Sequence, residues 1–329
     1  MRLPQIKTSI VEATDSLNAP CRVFFKKENE QPSGSFKLRG IGYLIASALE
    51  NAIHTNKTLH VFSSSGGNAG LAAAHSSKHF GVKCTVVVPA SVSPAVVELL
   101  KTYGAEVVIH GNHWGEADAY LSDVIIASLD TNVSPVYCHP FDDPLLWKGH
   151  ASMISEIEAQ LSEDDLRKVK GVICSFGGGG LMAGVVEGLK ASNHLQKVPV
   201  LAVEGSGAAS FDAAINKGEV VRLASVNPLA TSLASPYACQ KSVDLYNSYP
   251  VLNCVIDELD TVEGTVFFYD TFAEVVEPAC GAAISMVSKN IKELERFAVS
   301  PDDIIIVIVC GGLVTRESDI PSYRHMLQA

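Results

Sequence analysis

Hydrophobic and polar positions along the chain fall into two alternating patterns. Short runs of consecutive apolar, mostly β-branched residues are typical of strands that are buried on both faces of a parallel sheet. These runs predict seven strands, at residues 21–28, 58–64, 83–90, 105–111, 170–176, 198–205 and 303–312. The stretches between them have the spacing of amphipathic helices. They predict helices at residues 39–51, 68–80, 93–104, 116–129, 144–161 and 181–192.

This alternation of strands and helices predicts the α/β fold class, with open, doubly wound parallel sheets. At 329 residues, the chain is long enough for two domains of this kind. The strand–helix units separate into two groups along the sequence. They predict a small domain over residues 42–146 and a large domain that combines residues 1–41 with residues 147–329.

Composition narrows the classes of function. Apolar residues make up 47% of the chain and charged residues 19%, which predicts a packed core. The net charge of −11 argues against a general nucleic-acid surface, although a helix N-terminus can still bind a small anion. The eight cysteines are scattered without a CxxC pair, which is typical of reduced thiols in a reducing compartment. The sequence has no signal peptide and no apolar run long enough for a membrane span, so we expect a soluble, cytoplasmic protein.

Three glycine-bearing motifs follow predicted strands: SSSGGNAG at residues 63–70, SFGGGGLMAG at 175–184 and CGGLVT at 310–315. Ligands of open α/β folds bind at the carboxyl ends of the strands. We therefore expect the three motifs to converge on one cleft.

The motif at 175–184 has two interpretations. Four successive glycines at the start of a helix leave backbone N–H groups that can surround a phosphate. Alternatively, Gly178, Gly180 and Ala183 satisfy the GxGxxA pattern of a dinucleotide site, with Glu204 as the ribose ligand. This segment alone does not separate the two interpretations.

The motif QPSGSFKLRG, at residues 31–40, predicts a turn followed directly by Lys37 and a helix. A helix N-terminus and burial both favour the neutral amine that attacks a carbonyl, although an exposed lysine on a capped helix fits the same pattern.

In the motif at 63–70, hydroxyls and amides of residues 64–67 suit a carboxylate, and Asn68 suits a phenolate oxygen. A helix cap without a ligand is the alternative there.

Five motifs in this order carry a resemblance: QPSGSFKLRG, SSSGGNAG, SFGGGGLMAG, VEPACGAA at 276–283 and VIVCGG at 307–312. Together they resemble the fold-type-II enzymes that depend on pyridoxal 5′-phosphate (PLP), in particular the eukaryotic L-serine dehydratase/L-threonine deaminase branch. The likeness extends from about Lys7 to Thr315. It implies two open doubly wound domains of the tryptophan-synthase-β type, with PLP in the cleft between them and the large domain binding the cofactor. The dinucleotide hypothesis explains only one of the five motifs.

The resemblance assigns a role to each matching position. Lys37 is implied as the Schiff-base lysine and as the base that takes the Cα proton. The implied cofactor-binding residues are Phe36, Lys37, Asn68, Gly177, Gly178, Gly179, Gly180, Leu181 and Cys310, with Cys310 facing the pyridine nitrogen. The implied substrate-carboxylate residues are Ser65, Gly66, Gly67 and Asn68. The positions that match a site for K⁺ or another monovalent cation are Gly177, Glu204, Ala208, Leu233 and Ser235.

The implied reaction is β-elimination, giving pyruvate and ammonia from L-serine, or 2-oxobutyrate and ammonia from L-threonine. A homodimer is implied as well. Only about fourteen residues follow residue 315, so we expect a catabolic enzyme without an appended regulatory domain. Gly66 departs from the Ala that is common in relatives. Serine racemisation, β-replacement, an NAD-dependent oxidoreductase and a non-catalytic PLP- or amino-acid-binding protein are the alternatives.

Overall fold

A computed structural model describes residues 1–328 of the chain. These residues form two compact units. The first unit contains residues 1–6 and 31–149, and the second contains residues 7–30 and those from 150 onward. Residues 31–41, which the sequence analysis groups with the large domain, belong to the first unit because helix 37–54 packs on helix 68–80. That the second unit is the main cofactor-binding domain stays a prediction.

Ten strands in the described residues form two sheets. They are β1 (Ile10–Glu12), β2 (Arg22–Lys27), β3 (Thr58–Ser63), β4 (Lys83–Val88), β5 (Glu106–Ile109), β6 (Val133–Tyr137), β7 (Val169–Ser175), β8 (Val200–Gly205), β9 (Val251–Ile256) and β10 (Ile304–Val309). The first unit has the order β5-β4-β3-β6, with every pair parallel. The second has the order β1-β2-β10-β7-β8-β9, in which only β1 runs antiparallel to its neighbour.

Twelve α-helices accompany the strands within residues 1–328. They are α1 (Lys37–His54), α2 (Asn68–Phe80), α3 (Pro94–Thr102), α4 (Trp114–Tyr120), α5 (Pro144–Gln160), α6 (Glu163–Lys168), α7 (Gly180–Ala191), α8 (Ser210–Lys217), α9 (Gln240–Ser248), α10 (Glu258–Phe272), α11 (Pro278–Ser288) and α12 (Ile320–Met326). In the described chain, none of the helices is both long and apolar enough to cross a bilayer. The prediction of an α/β protein with two open, largely parallel sheets is confirmed.

Burial along the strands explains which of them the sequence predicts. All six residues of β8 and of β10 are buried, and neighbouring residues of a strand point to opposite faces, so both faces of the sheet are covered there. All seven predicted strands are present. The strands β1, β6 and β9 are missed, because each lies at a sheet edge and is mostly half-buried or exposed, without a continuous apolar run.

The predicted helix at 116–129 is shorter in the structure. The α-helix α4 covers residues 114–120, and a π-helical turn and a 3₁₀ turn follow it. Ala117 and Leu121 from this segment are fully buried against Phe62 of β3 and Val87 of β4. This core cluster fixes α4 beside the carboxyl ends of the strands.

Candidate active site

Lys37 is the first residue of α1, as the sequence predicts. It is half-buried, and its Nζ lies 5.0 Å from the centre of the Phe36 ring. The Nζ also donates a hydrogen bond to the carbonyl oxygen of Pro140. A lysine held in this way at a helix N-terminus meets the requirements for a cofactor-binding amine.

The turn that presents the Pro140 carbonyl follows β6 and is organised by His139. The Nδ1 of His139 accepts hydrogen bonds from the backbone N–H groups of Phe141, at 3.2 Å, and of Asp142, at 2.8 Å. Burial, and then the positive charge of Lys37, lower the pKa of His139 to about 4. His139 is therefore a neutral acceptor at neutral pH, and it adds no positive charge next to the lysine.

The candidate carboxylate loop, residues 63–68, joins the carboxyl end of β3 to α2. Residues 65–68 are half-buried, and α2 begins at Asn68 with Gly67 as its N-cap. The hydroxyl of Ser65 accepts a hydrogen bond from the N–H of Gly67, at 3.2 Å. A helix N-terminus with hydroxyls and amides at a strand end can bind an anion such as a carboxylate.

Gly66 is closely packed against a second loop. A Cβ built at this position lies 2.5 Å from Cγ2 and 3.0 Å from Cγ1 of Val92. Alanine at this position therefore does not fit unless Val92 moves.

We expect Gly66→Ala to lower the free energy of unfolding by about 1–3 kcal/mol, the usual cost of overpacking. Shortening the neighbour in Gly66→Ala/Val92→Ala should restore part of this loss, because the contact is then removed. Urea denaturation checks both variants. Gly67→Ala is the control for stability, since its added Cβ lies no closer than 3.8 Å to the Ser65 hydroxyl. Equal losses in Gly66→Ala and Gly67→Ala would contradict the role of Val92.

The glycine loop, residues 177–180, links β7 to α7 in the second unit. Gly179 has a φ of +96°, and the N–H of Cys239 donates to the carbonyl of Gly178 at 3.0 Å. Within residues 1–328, the N–H groups of Gly177, Gly178 and Gly179 donate to no acceptor. The N–H groups of Gly180, Leu181 and Met182, in the first turn of α7, have no intrahelical acceptor either. These donors at the positive end of a twelve-residue helix fit a phosphate group.

Glu204 lies near the end of β8 and is fully buried. Its Oε1 accepts from the N–H of Phe211, at 2.8 Å, and its Oε2 accepts from the N–H of Asp212, at 2.9 Å. Burial raises its pKa to about 7, although these two hydrogen bonds act in the opposite direction. These two hydrogen bonds give Glu204 a role at the N-terminus of α8, so its position near the end of β8 is not by itself support for the dinucleotide hypothesis.

The other residues of the expected cation site lie in the same unit. Gly177 packs against the backbone of Leu233, whose carbonyl accepts from the N–H of Ser235 at 2.6 Å. Ala208 ends the short 3₁₀ turn after β8. Residues 1–328 contain no group of three or more His, Cys, Asp or Glu side chains suited to a metal ion. Any cation here would be held mainly by backbone carbonyls.

Cys310 directly follows β10 and is buried. A hydrogen bond with the Cys280 thiol, followed by burial, raises the pKa of Cys310 well above its ordinary value, while the Ser175 hydroxyl lowers it. The thiol is therefore protonated at neutral pH. It can take part in a neutral hydrogen bond but supplies no negative charge.

Glu277 is a buried carboxylate in the motif VEPACGAA, and the resemblance implies no role for it. It accepts hydrogen bonds from the Ser232 hydroxyl and from the N–H of Val314, the latter at 2.8 Å. It also lines a cavity of about 140 Å³, whose wall includes Thr315 and Tyr323. The signal that could have identified it is a charged residue in the motif VEPACGAA, which lies between the glycine motifs at 175–184 and 310–315.

The structure gathers the expected residues in two groups, one on each unit. The first unit carries Phe36, Lys37 and the carboxylate loop, and the second carries the glycine loop, Cys310 and the residues of the expected cation site. His139 and Pro140 were not predicted from the sequence, because they contribute through the geometry of a turn and not through a recognisable residue pattern. The roles of all these residues toward a ligand remain predictions.

Comparison with known proteins identifies the chemistry. A family model described as pyridoxal-phosphate dependent enzyme matches residues 1–311. An L-serine dehydratase of Saccharomyces cerevisiae is 40% identical over 303 residues, covering 90% of this chain and 90% of the yeast protein. An L-serine dehydratase/L-threonine deaminase of Mus musculus is 37% identical over 293 residues, covering 88% of this chain and 85% of the mouse protein.

A solved structure agrees with these sequence matches. The crystal structure of a fungal L-serine ammonia-lyase from Rhizomucor miehei has a TM-score of 0.87 and 28% sequence identity, and the match covers 98% of this chain and 99% of that one. The fold-type-II resemblance stated from five motifs is therefore confirmed. The chain belongs to the family of pyridoxal-phosphate-dependent enzymes.

Proposed function

We propose that this protein is a PLP-dependent L-serine dehydratase that also accepts L-threonine and acts in amino-acid catabolism. The observation that carries the proposal is the 40% identity, over 90% of both chains, to a protein named L-serine dehydratase. The mouse relative has both L-serine and L-threonine activities in its name. Lys37 at the start of α1 and the unpaired amides of the glycine loop support the same chemistry.

The residues present fit the cofactor. The glycine loop, with Leu181, would hold the phosphate, because its free N–H groups lie at the N-terminus of α7. Lys37 would bind the aldehyde carbon, Phe36 would pack against the ring, and Asn68 would donate to the ring oxygen. Cys310 would lie at the pyridine nitrogen, where its protonated thiol leaves that nitrogen without a negative partner.

The side chains divide the reaction between them. PLP, when bound, supplies an electron sink for the pair of electrons released at Cα. The Nζ of Lys37 takes the Cα proton, and the Pro140 carbonyl orients that amine. The carboxylate loop, from Ser65 to Asn68, binds the substrate carboxylate. Loss of the β-hydroxyl and hydrolysis then give ammonia with pyruvate or 2-oxobutyrate.

The protonated thiol of Cys310 favours elimination over exchange of the amino group. A thiol at Cys310 does not stabilise a protonated pyridine as a carboxylate would. Without a negative partner at the ring nitrogen, the bound cofactor would supply a weaker electron sink, and this would favour loss of the β-hydroxyl over return of a proton to Cα.

We further propose that the enzyme acts in the cytoplasm as a homodimer. All eight cysteines are free thiols, and seven of them are buried, which supports a reducing compartment. Analytical ultracentrifugation of the holoenzyme tests the dimer.

We also propose that the enzyme binds K⁺ through Glu204 and the carbonyls of Gly177, Ala208, Leu233 and Ser235. Replacing K⁺ by tetramethylammonium, which is too large for such a site, should lower the rate by about 10-fold, or about 1.4 kcal/mol. Glu204→Gln should weaken K⁺ activation by a similar factor, because the cation loses its negative partner.

The control for the loss of a carboxylate that accepts two backbone N–H groups is Glu258→Gln. Glu258 also accepts two backbone N–H bonds, from Gly207 at 2.7 Å and Leu229 at 2.6 Å, but it is outside the proposed cation set. A K⁺ titration of the rate that is the same in both variants would rule out the cation role of Glu204.

The reaction itself is tested with purified protein, PLP and K⁺. L-serine should yield pyruvate, and L-threonine should yield 2-oxobutyrate, each with one equivalent of ammonia. A PLP absorbance band without pyruvate would reject the dehydratase activity. In that case chiral chromatography for D-serine would identify a racemase.

A further inference from the structure

A hydrogen-bonded cluster lies directly behind the carboxylate loop in the first unit. The hydroxyl of Ser64 donates to Oδ1 of Asp118 at 2.7 Å, and the hydroxyl of Tyr137 donates to the same oxygen at 2.6 Å. The indole N–H of Trp114 donates to Ser64 Oγ at 3.1 Å. Three segments of the chain therefore meet at one carboxylate, and Ser64 is the residue immediately before the proposed substrate-binding residues.

The direction of each hydrogen bond in this cluster is fixed by its donors. Ser64 and Tyr137 each have one hydroxyl proton, and Asp118 can only accept when it is ionised. The oxygens of Ser64 and Tyr137 lie 3.1 Å apart. No proton lies between them, because both hydroxyls donate to Asp118. The Ser64 oxygen accepts one further hydrogen bond, from Trp114. The cluster thus has one arrangement, which holds the Ser64 side chain in one orientation.

The fold makes this arrangement rigid. Trp114 and Asp118 are four residues apart on α4 and therefore lie on one face of the helix. Ala117 and Leu121, both fully buried in the core cluster, hold α4 against the sheet. Ser64 itself is only 1% exposed.

The strand order brings the other members together. The strands β3 and β6 are parallel neighbours, and Phe62 of β3 is in register with Tyr137 at the end of β6. The N–H of Cys138 also donates to the carbonyl of Phe62 at 2.7 Å. The turn that carries His139 and Pro140 starts at this point. Asp118 is therefore connected to the carboxylate loop through Ser64 and to the turn beside Lys37 through Tyr137.

We propose that Asp118 is a positioning residue that holds Ser64, and through it the carboxylate loop, in the conformation that binds the α-carboxylate of the substrate. This inference rests on the proposed function of that loop. Asp118 acts on substrate affinity rather than on proton transfer, because its two hydrogen-bond donors are Ser64 and Tyr137 and neither is a reacting group.

The test compares binding with turnover in the holoenzyme. L-Alanine has the same α-carboxylate as serine but no leaving group, so its binding can be followed by the change in PLP absorbance. Asp118→Ala should raise the Kd for L-alanine and the KM for L-serine by roughly 10-fold, a typical effect of a displaced binding group. The value of kcat should stay within about two-fold, as expected when uniform binding is lost.

Two further variants separate this role from a general loss of stability. Asp118→Asn keeps an acceptor oxygen for both hydroxyls and should raise the Kd by only about two- to three-fold, since neutral hydrogen bonds are weaker. Ser64→Ala should reproduce the effect of Asp118→Ala, and the double variant should be no worse than either single one, because both changes release the same loop. Asp123→Ala, an exposed carboxylate in the π-helical turn after α4, is the matched control.

Each outcome decides the proposal. Increases in Kd that multiply in the double variant, or a lower melting temperature with an unchanged Kd, would overturn it. If the unmodified enzyme binds L-alanine and all variants bind it equally well, only the role of Asp118 is lost. If the unmodified enzyme itself gives no absorbance change with L-alanine, the proposed function of the loop fails, and this inference fails with it.

Discussion

Replacement of Lys37 with alanine is expected to lower pyruvate formation from L-serine by at least roughly 10²–10⁴-fold, the range attributed to a positioned proton-transfer group. The same change removes the amine that attaches the cofactor, so the loss should reach the limit of detection. The glycine loop does not depend on Lys37, and it should still bind PLP reversibly. Absorbance spectra before and after borohydride treatment, with the mass of the protein, measure whether the cofactor is attached.

Lys148→Ala is the matched control for this experiment. Lys148 belongs to the same unit and lies over an aromatic ring in a similar way, with its Nζ 5.2 Å from the centre of Tyr43, but it is exposed. It should keep full activity and the borohydride-fixed cofactor. If Lys37→Ala still carries a cofactor that borohydride fixes to the protein, another lysine holds PLP and the assignment is wrong.

The second large effect is expected from Gly179→Ala in the glycine loop. Gly179 has a φ of +96°, and an added Cβ lies 2.0 Å from Ser242 Oγ and 2.9 Å from the Phe176 ring. A strained φ costs about 1–3 kcal/mol, and overpacking costs about 1–3 kcal/mol more. We expect the free energy of unfolding to fall by about 2–6 kcal/mol in total, and PLP affinity to fall because the loop amides are displaced.

Gly218→Ala separates backbone strain from the loss of space. Gly218 also has a positive φ, of +78°, but an added Cβ there meets no atom within 4 Å. The Gly218→Ala variant should lose only the part of the free energy of unfolding that is due to backbone strain, and it should bind PLP normally. The double variant Gly179→Ala/Ser242→Ala should recover part of the stability. Urea denaturation and PLP titration measure these effects, and equal losses at Gly179 and Gly218 would refute the steric argument.

Features that depend on neighbouring residues were predicted well from the sequence. The start of α1 at Lys37 and the start of α2 at Asn68 follow from the turn residues before them. The fully buried β10 follows from six consecutive β-branched residues, because no exposed strand would keep such a run. The glycine loop follows from four consecutive glycines, a run that few other structures tolerate.

Features that depend on strand order were not predicted. The edge strand β6 contains an exposed Pro135, and its other four residues are only half-buried, so it lacks the apolar signal of a central strand. Its position beside β3 nevertheless brings Tyr137 to Ser64, 73 residues away in sequence. In the sequence, Asp118 has the pattern of an ordinary polar residue on an amphipathic helix. Ser64, to which it is hydrogen-bonded, is 54 residues away along the chain.

The sequence by itself determined the α/β class, the positions of the glycine motifs and the lysine at a helix start, since each of these arises from local backbone preferences and from the periodicity of apolar residues. The tertiary structure alone decided the use of individual carboxylates. Glu204 serves the N-terminus of α8, Glu277 accepts from Ser232 and Val314, and Asp118 holds Ser64. A carboxylate takes its role from the donors that surround it, and those donors come from distant segments that only sheet order and helix packing bring within hydrogen-bonding distance.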